Sequence, residues 1–133
     1  MSNGVQGGNT APESRSVYNN TGSTIPKGTL VNLKAAGSPP SECEVVNAIA
    51  DVVYGVAAED IETASYGLVY IRGCVQVLAH AALVVGTIVT AHTNGRVISA
   101  ATGGRIVGVA NEIGASGVLT EIELAGPGAG LSP

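Results

Sequence analysis

The chain has 133 residues, enough for one ordinary domain, and 45% of them are apolar. Charged residues make up only 12%, against about 25% in an average chain; there are 19 glycines and neither Phe nor Trp. So apolar and weakly charged a composition excludes a wholly disordered chain. Too little Glu, Lys, Arg and Leu excludes a long amphipathic helix. A net charge of −4 with six scattered basic residues and no aromatic platform argues against nucleic-acid binding.

In chain order, residues 1–16 are Gly, Asn, Ser, Pro and Gln with almost no large apolar group. They predict an extended N-terminal arm with Val5 as its one anchor. The arm lacks the basic and apolar regions of a secretory signal. The folded body is expected over 17–124. Around Glu44–Val53 the pairs Val45-Val46 and Val52-Val53 favour strand over helix. Val69 and Ile71 alternate with Tyr70 and Arg72, and Val75 and Val77 with Gln76 and Leu78, which is period-two strand behaviour. The uncharged stretch 73–95 contains Gln76, His80, Gly86-Thr87 and His92. It reads as two strands and a turn rather than a membrane span. Asn94-Gly95 between Ile88-Val89 and Val97-Ile98 predicts a hairpin, because both residues tolerate positive φ. Gly103-Gly104 marks a turn before Ile106-Val107, and Ile122 and Leu124 alternate with Glu121 and Glu123 in a last strand. Residues 125–133, rich in Gly and Pro, predict a short flexible tail.

The chain also resembles itself. Lys27-Gly28-Thr29-Leu30-Val31 is similar to Val85-Gly86-Thr87-Ile88-Val89, and Tyr54-Gly55-Val56-Ala57-Ala58-Glu59 to Val107-Gly108-Val109-Ala110-Asn111-Glu112. Gly67-Leu68-Val69 and Gly117-Val118-Leu119 follow in the same order. A duplicated β unit, 25–75 and 83–124, accounts for this. Two units closing on each other predict an all-β body, a small β-barrel or sandwich, since closure removes exposed strand edges.

Site chemistry is sparse. Cys43 and Cys74 are too few for a disulfide framework and read as buried thiols. Cys74, His80 and His92 could form a metal or nucleophile site only with a third ligand or an orienting group, and nothing local supplies one. The run Glu59-Asp60-Ile61-Glu62 lacks the alternation and glycine of a calcium loop. Gly103-Gly104-Arg105 is not a phosphate loop, and Asn19-Asn20-Thr21 fits a glycosylation sequon without a secretion signal. No enzyme activity, cofactor or metal is expected.

The stretch Val17-Tyr18-Asn19-Asn20, then Ile25-Pro26-Lys27-Gly28-Thr29-Leu30-Val31, then Gly55-Val56-Ala57, Gly67 to Val75 and Gly108-Val109-Ala110 resembles the capsid cement, or head-decoration, proteins of tailed bacteriophages. The resemblance spans 17–124. It implies a β-clip or β-tulip-like body, often trimeric, that binds the major capsid protein on the outside of the expanded head at or near local threefold axes. There it stiffens the shell against internal DNA pressure. The protein is then made in the host cytoplasm and ends on the virion surface, with no membrane or nucleic-acid partner. On this reading Val5, Arg15 and Tyr18 are the expected capsid contacts, and Tyr70 and Arg72 the expected subunit contacts. A virion-surface receptor- or glycan-binding β module is the alternative, although it lacks an aromatic platform. A metal or enzyme site at Cys74, His80 and His92, or an oligomeric barrel unrelated to viruses, are further readings.

Overall fold

The computed structural model describes residues 12–35, 37, 41–127 and 129–132. Val5 lies outside them. Among the described residues the chain is all-β, with nine strands: β1 (Glu13–Asn19), β2 (Leu30–Leu33), β3 (Glu42–Val45), β4 (Gly55–Ala57), β5 (Ser65–Leu78), β6 (Ile88–Ala91), β7 (Val97–Ser99), β8 (Ile106–Ala110) and β9 (Leu119–Leu124). One short 3-10 turn, Thr93–Gly95, joins β6 to β7. Asn94 and Gly95 both have positive φ there, 62° and 69°, as the hairpin reading requires.

The strands form one continuous sheet in the order β1-β3-β2-β4-β5-β9-β8-β6-β7. β1 also pairs antiparallel with the first half of β5, which closes β1-β3-β2-β4-β5 into a ring. The second half of β5 starts another ring through β9, β8, β6 and β7. That one returns to the end of β5 by a parallel bridge, Ala79 to Val97. The two valine-rich runs at 69–71 and 75–77 are therefore a single 14-residue strand shared by both rings. The strand turns from one ring to the other at Gly73. Its φ of 103° is open to glycine and unfavourable to a residue with a Cβ.

The rings repeat one another in register. Leu30 pairs with Val56 and Val31 with Gly55 in ring 1; Ile88 pairs with Val109 and Val89 with Gly108 in ring 2. Gly28 N–H donates to Ala57 O at 2.9 Å, and Gly86 N–H to Ala110 O at 2.8 Å. Glu59 Oε2 accepts Leu68 N–H at 3.2 Å, and Glu112 Oε1 accepts Glu121 N–H at 2.8 Å. The partners of β1 on β5 match those of the second half of β5 on β9: Val17 opposite Gly67, Val77 opposite Thr120. The repeating units thus start at β1 and at Gly73, twelve and ten residues earlier than the sequence similarity at 25 and 83.

Each ring has an apolar interior. Ring 1 encloses Val17, Ile25, Val31, Ala57, Ile61 and Val69. Ring 2 encloses Val77, Leu83, Val89, Ala91, Ala110 and Ile122, and into this cluster ring 1 sends Leu30, Val46, Val53 and Val56. Side-chain volume is exchanged between equivalent places. Gly67 makes room for Ile61 in ring 1, while in ring 2 the glycine is Gly114 and the larger partner Thr120. Burial of apolar surface at about 25 cal/mol per Å² is the main stabilising contribution of both interiors.

Three expectations meet a different outcome. Residues 13–16, read as part of the arm, belong to β1, because the edge of β5 supplies their backbone partners: Ser14 lies opposite Tyr70 and Ser16 opposite Leu68. The Val52-Val53 pair is not in a strand; Asp51 Oδ2 accepts the N–H groups of Asn47 and Ala48, both at 3.0 Å, and turns the chain there. Residues 129–132, read as tail, run along 103–106: Ile106 N–H donates to Gly130 O, Gly103 N–H to Ser132 O and Ser132 N–H to Gly104 O. Arg105 reaches across to Ala50 O at 3.0 Å and Ala129 O at 3.4 Å, which fastens this segment to the loop of ring 1.

Candidate functional site

The strand junction creates a cleft of ≈ 380 Å³ between the rings, lined by Lys27, Tyr70, Cys74, Gln76 and Glu121 among others. Lys27 comes from the turn before β2, Tyr70 from the first half of β5, Cys74 and Gln76 from its second half and Glu121 from β9. The Cys74 thiol donates to a Glu121 carboxylate oxygen and lies 3.4 Å from Asn111 Nδ2. Burial, with the carboxylate of Glu121 beside it, pushes the Cys74 thiol up to about 11. A nucleophilic cysteine needs the opposite shift. Cys43, inside ring 1, is also pushed up to about 11, chiefly by burial.

At pH 8 a thiol with a pKa of about 11 is ionised to roughly one part in a thousand, against roughly a tenth for one at its ordinary value of 9.0. Alkylation of the folded chain by iodoacetamide is expected to stay slow through pH 8 and to keep rising beyond pH 10. A half-maximal rate below pH 9 would contradict the burial argument. Because the folded pKa values of both thiols are raised, the unfolded chain loses its protons first. The stability they protect is present below pH 9 and declines between about 9 and 11.

His80 and His92, separated by a turn in the sequence, are brought together. Their rings stack with centroids 4.0 Å apart and planes 29° from parallel. Sequence reasoning missed this, because the pairing arises from β7: His80 N–H donates to Val97 O and His92 N–H to Arg96 O. Burial, and then the charge of His80, hold the His92 imidazole below its usual range. Among the described residues no group of three or more His, Cys, Asp and Glu side chains could hold a metal ion. Among the described residues Cys74 is not grouped with the histidines; its thiol meets Glu121 instead.

The acidic run and the sequon have structural duties. Asp60 Oδ1 accepts Lys27 N–H at 2.8 Å. Asn19 is wholly buried; its Nδ2 donates to Ser23 O and Ile61 O, and its Oδ1 accepts from Thr21 N–H and Oγ1. A side chain so enclosed is no glycosylation surface.

Of the expected contact residues, Tyr18 packs edge-on against Tyr66, with centroids 4.9 Å apart. Arg15 is exposed and forms an ion pair with Glu13 at 2.6 Å. Arg72 is also exposed, with Nε 3.7 Å from Glu13. Tyr70 is half-buried: instead of pointing freely outward it packs against the cluster of ring 2 and lines the cleft.

The sequence matches no family model and no curated protein. Among solved structures the chain is similar to the crystal structure of the head fiber gp8.5 N base in bacteriophage phi29. The TM-score is 0.68 at 18% identity, over 92% of this chain and 100% of that one. At that identity the likeness shows a shared fold.

Proposed function

We propose that this chain is a non-enzymatic structural protein of a tailed-phage head, which binds the outer surface of the expanded shell and cements it. The observation that carries this reading is the fold shared, over nearly the whole chain, with the base of a phage head fiber. The local chemistry supports it. The one cysteine in the cleft is held as a thiol, the histidine pair has no third ligand among the described residues, and Asp60 and Glu59 accept the backbone N–H groups of Lys27 and Leu68.

The partner is the major capsid protein, and the protein acts as a homotrimer at or near local threefold axes. Residues 1–11, with Val5, reach the shell, and β1 roots this arm in ring 1.

Co-sedimentation of the purified protein with expanded and with unexpanded shells of its phage tests this. Saturable binding to expanded shells, together with shells that resist a higher temperature, is the expected result. Binding to neither shell would overturn the reading. Because residues 13–16 are part of β1, the informative truncation removes 1–11 and not 1–16. That variant is expected to unfold at a urea midpoint close to that of the full chain and to lose at least about tenfold in shell affinity, one order in the binding constant. Undiminished occupancy would remove the arm from the contact.

A further inference from the structure

Each ring carries the same outward apolar pair, Leu30 and Val56 on ring 1, Ile88 and Val109 on ring 2. On ring 1 the pair is covered by ring 2 and is 0% exposed. On ring 2 Ile88 is 45% and Val109 39% exposed. Val84, Val85 and Ile113 are exposed beside them, across the bridge from Leu83 to Gly114. Monomeric proteins seldom leave a continuous apolar face of this kind open.

The surface that receives ring 1 also has an uncovered counterpart. Inside the chain, Gly28 abuts Leu78 and Leu119: Leu78 N–H donates to Gly28 O at 2.9 Å, and the Leu119 side chain fills the place a Cβ on Gly28 would need. In ring 1 the residues matching Leu78 and Leu119 are Tyr18 and Tyr66, which face one another across β1 and β5 just as the leucines do across β5 and β9. Tyr66 is 59% and its neighbour Leu68 45% exposed. Gly86, the match of Gly28, has open space where its Cβ would be.

We propose that a second copy of this chain covers these faces: ring 2 of one copy docks on ring 1 of the next, repeating between chains the contact that joins the rings within one. The substitutions between the rings keep the contact complementary. Lys27 and Glu121, of opposite charge, line the cleft within the chain. Their counterparts across the new contact are Val85 and Leu68, both apolar and exposed. Tyr70 and Val75, which line the same cleft, give way to Glu123 and Arg15, again of opposite charge. Arg15 and Tyr18, read from the sequence as shell contacts, then meet a second copy. The contact is head-to-tail, with a different face on each partner, and such a contact closes into a ring or runs on as a filament. A closed trimer holds six such β rings. The inference rests on the register and the exposed faces, not on binding to a shell, so shell binding can fail without touching it.

Sedimentation velocity on the full chain and on Val109→Glu and Tyr66→Glu, alone and mixed, is the test. The wild type is expected to sediment as an oligomer. Each variant alone is expected to lose association by at least about tenfold, one order in the association constant. Val109→Glu keeps an intact ring 1 face and Tyr66→Glu an intact ring 2 face. Mixed in equal amounts, they are expected to form one-to-one dimers that grow no further. A monomeric wild type would overturn the proposal. So would dissociation by Val109→Glu with none by Tyr66→Glu, because that pattern means ring 2 faces meeting each other, and so would a mixture that stays monomeric. Circular dichroism establishes that each variant is folded. Ile113→Glu, at a side chain 80% exposed, replaces Val109→Glu should the latter unfold.

Discussion

Replacing Gly108 by alanine is expected to destabilise the chain by about 3 kcal/mol, at the upper end of what overpacking a well-packed interior costs. β8 crosses β9 so closely here that a Cβ on Gly108 would collide with the Glu123 carbonyl and press on Leu124 Cα. Both obstacles are backbone, so no side-chain rotation relieves them. The equivalent Gly55 lies in the same relation to ring 1, where its Cβ would sit 2.6 Å from Tyr70 O. Urea unfolding followed by circular dichroism reads the effect as a lower midpoint. Gly130→Ala is the control: among the described residues nothing lies within 4 Å of its Cβ position, and the change is expected to stay within about 0.5 kcal/mol. If Gly108→Ala falls in that same range, the close crossing is not a constraint and the reason given for the glycine is wrong.

Leu30→Ala is the second large effect, expected at about 2–5 kcal/mol because the truncation leaves a cavity where ring 1 meets ring 2. Leu30 is 0% exposed and belongs to the cluster that ring 2 encloses. Ile88→Ala deletes a similar volume at the matching position of ring 2. In protein dilute enough to hold single chains, its cost is expected to stay within about 0.5 kcal/mol, since the side chain already meets water. Equal losses at the two positions would mean that the rings are not joined through this face. The pair thus separates the effect of residue type from that of position, and does so within one chain.

Much of the local structure was legible because strands and turns are written in short range. Alternation at Val69, Ile71, Val75 and Val77 identified β5, and Ile122 and Leu124 identified β9, as strands buried on one face. Asn94-Gly95 announced the β6–β7 connection through its tolerance of positive φ. Composition alone pointed to an all-β chain, since little else can be built from valine, isoleucine and alanine interrupted by glycine. The two cysteines and two histidines stand apart in the sequence, and nothing local shows that the two histidine rings meet.

What depended on distance between elements was not legible. No local signal shows that β5 runs unbroken through Gly73 and serves two rings. That follows from β1 and β9 each finding an edge of the same strand. Residues 13–16 look like a polar arm because their side chains are polar, whereas backbone pairing with β5 holds them. The 129–132 segment is retained for the same reason, along 103–106. His80 and His92 stack only because β7 gathers the ends of β5 and β6. The sharpest case is Leu30 and Ile88, alike in their sequence surroundings and in register. That both are apolar strand residues in glycine-bounded units is a local property, written in their neighbours along the chain. That one is sealed and the other open comes from the packing of ring on ring, because burial is a property of what lies against a face.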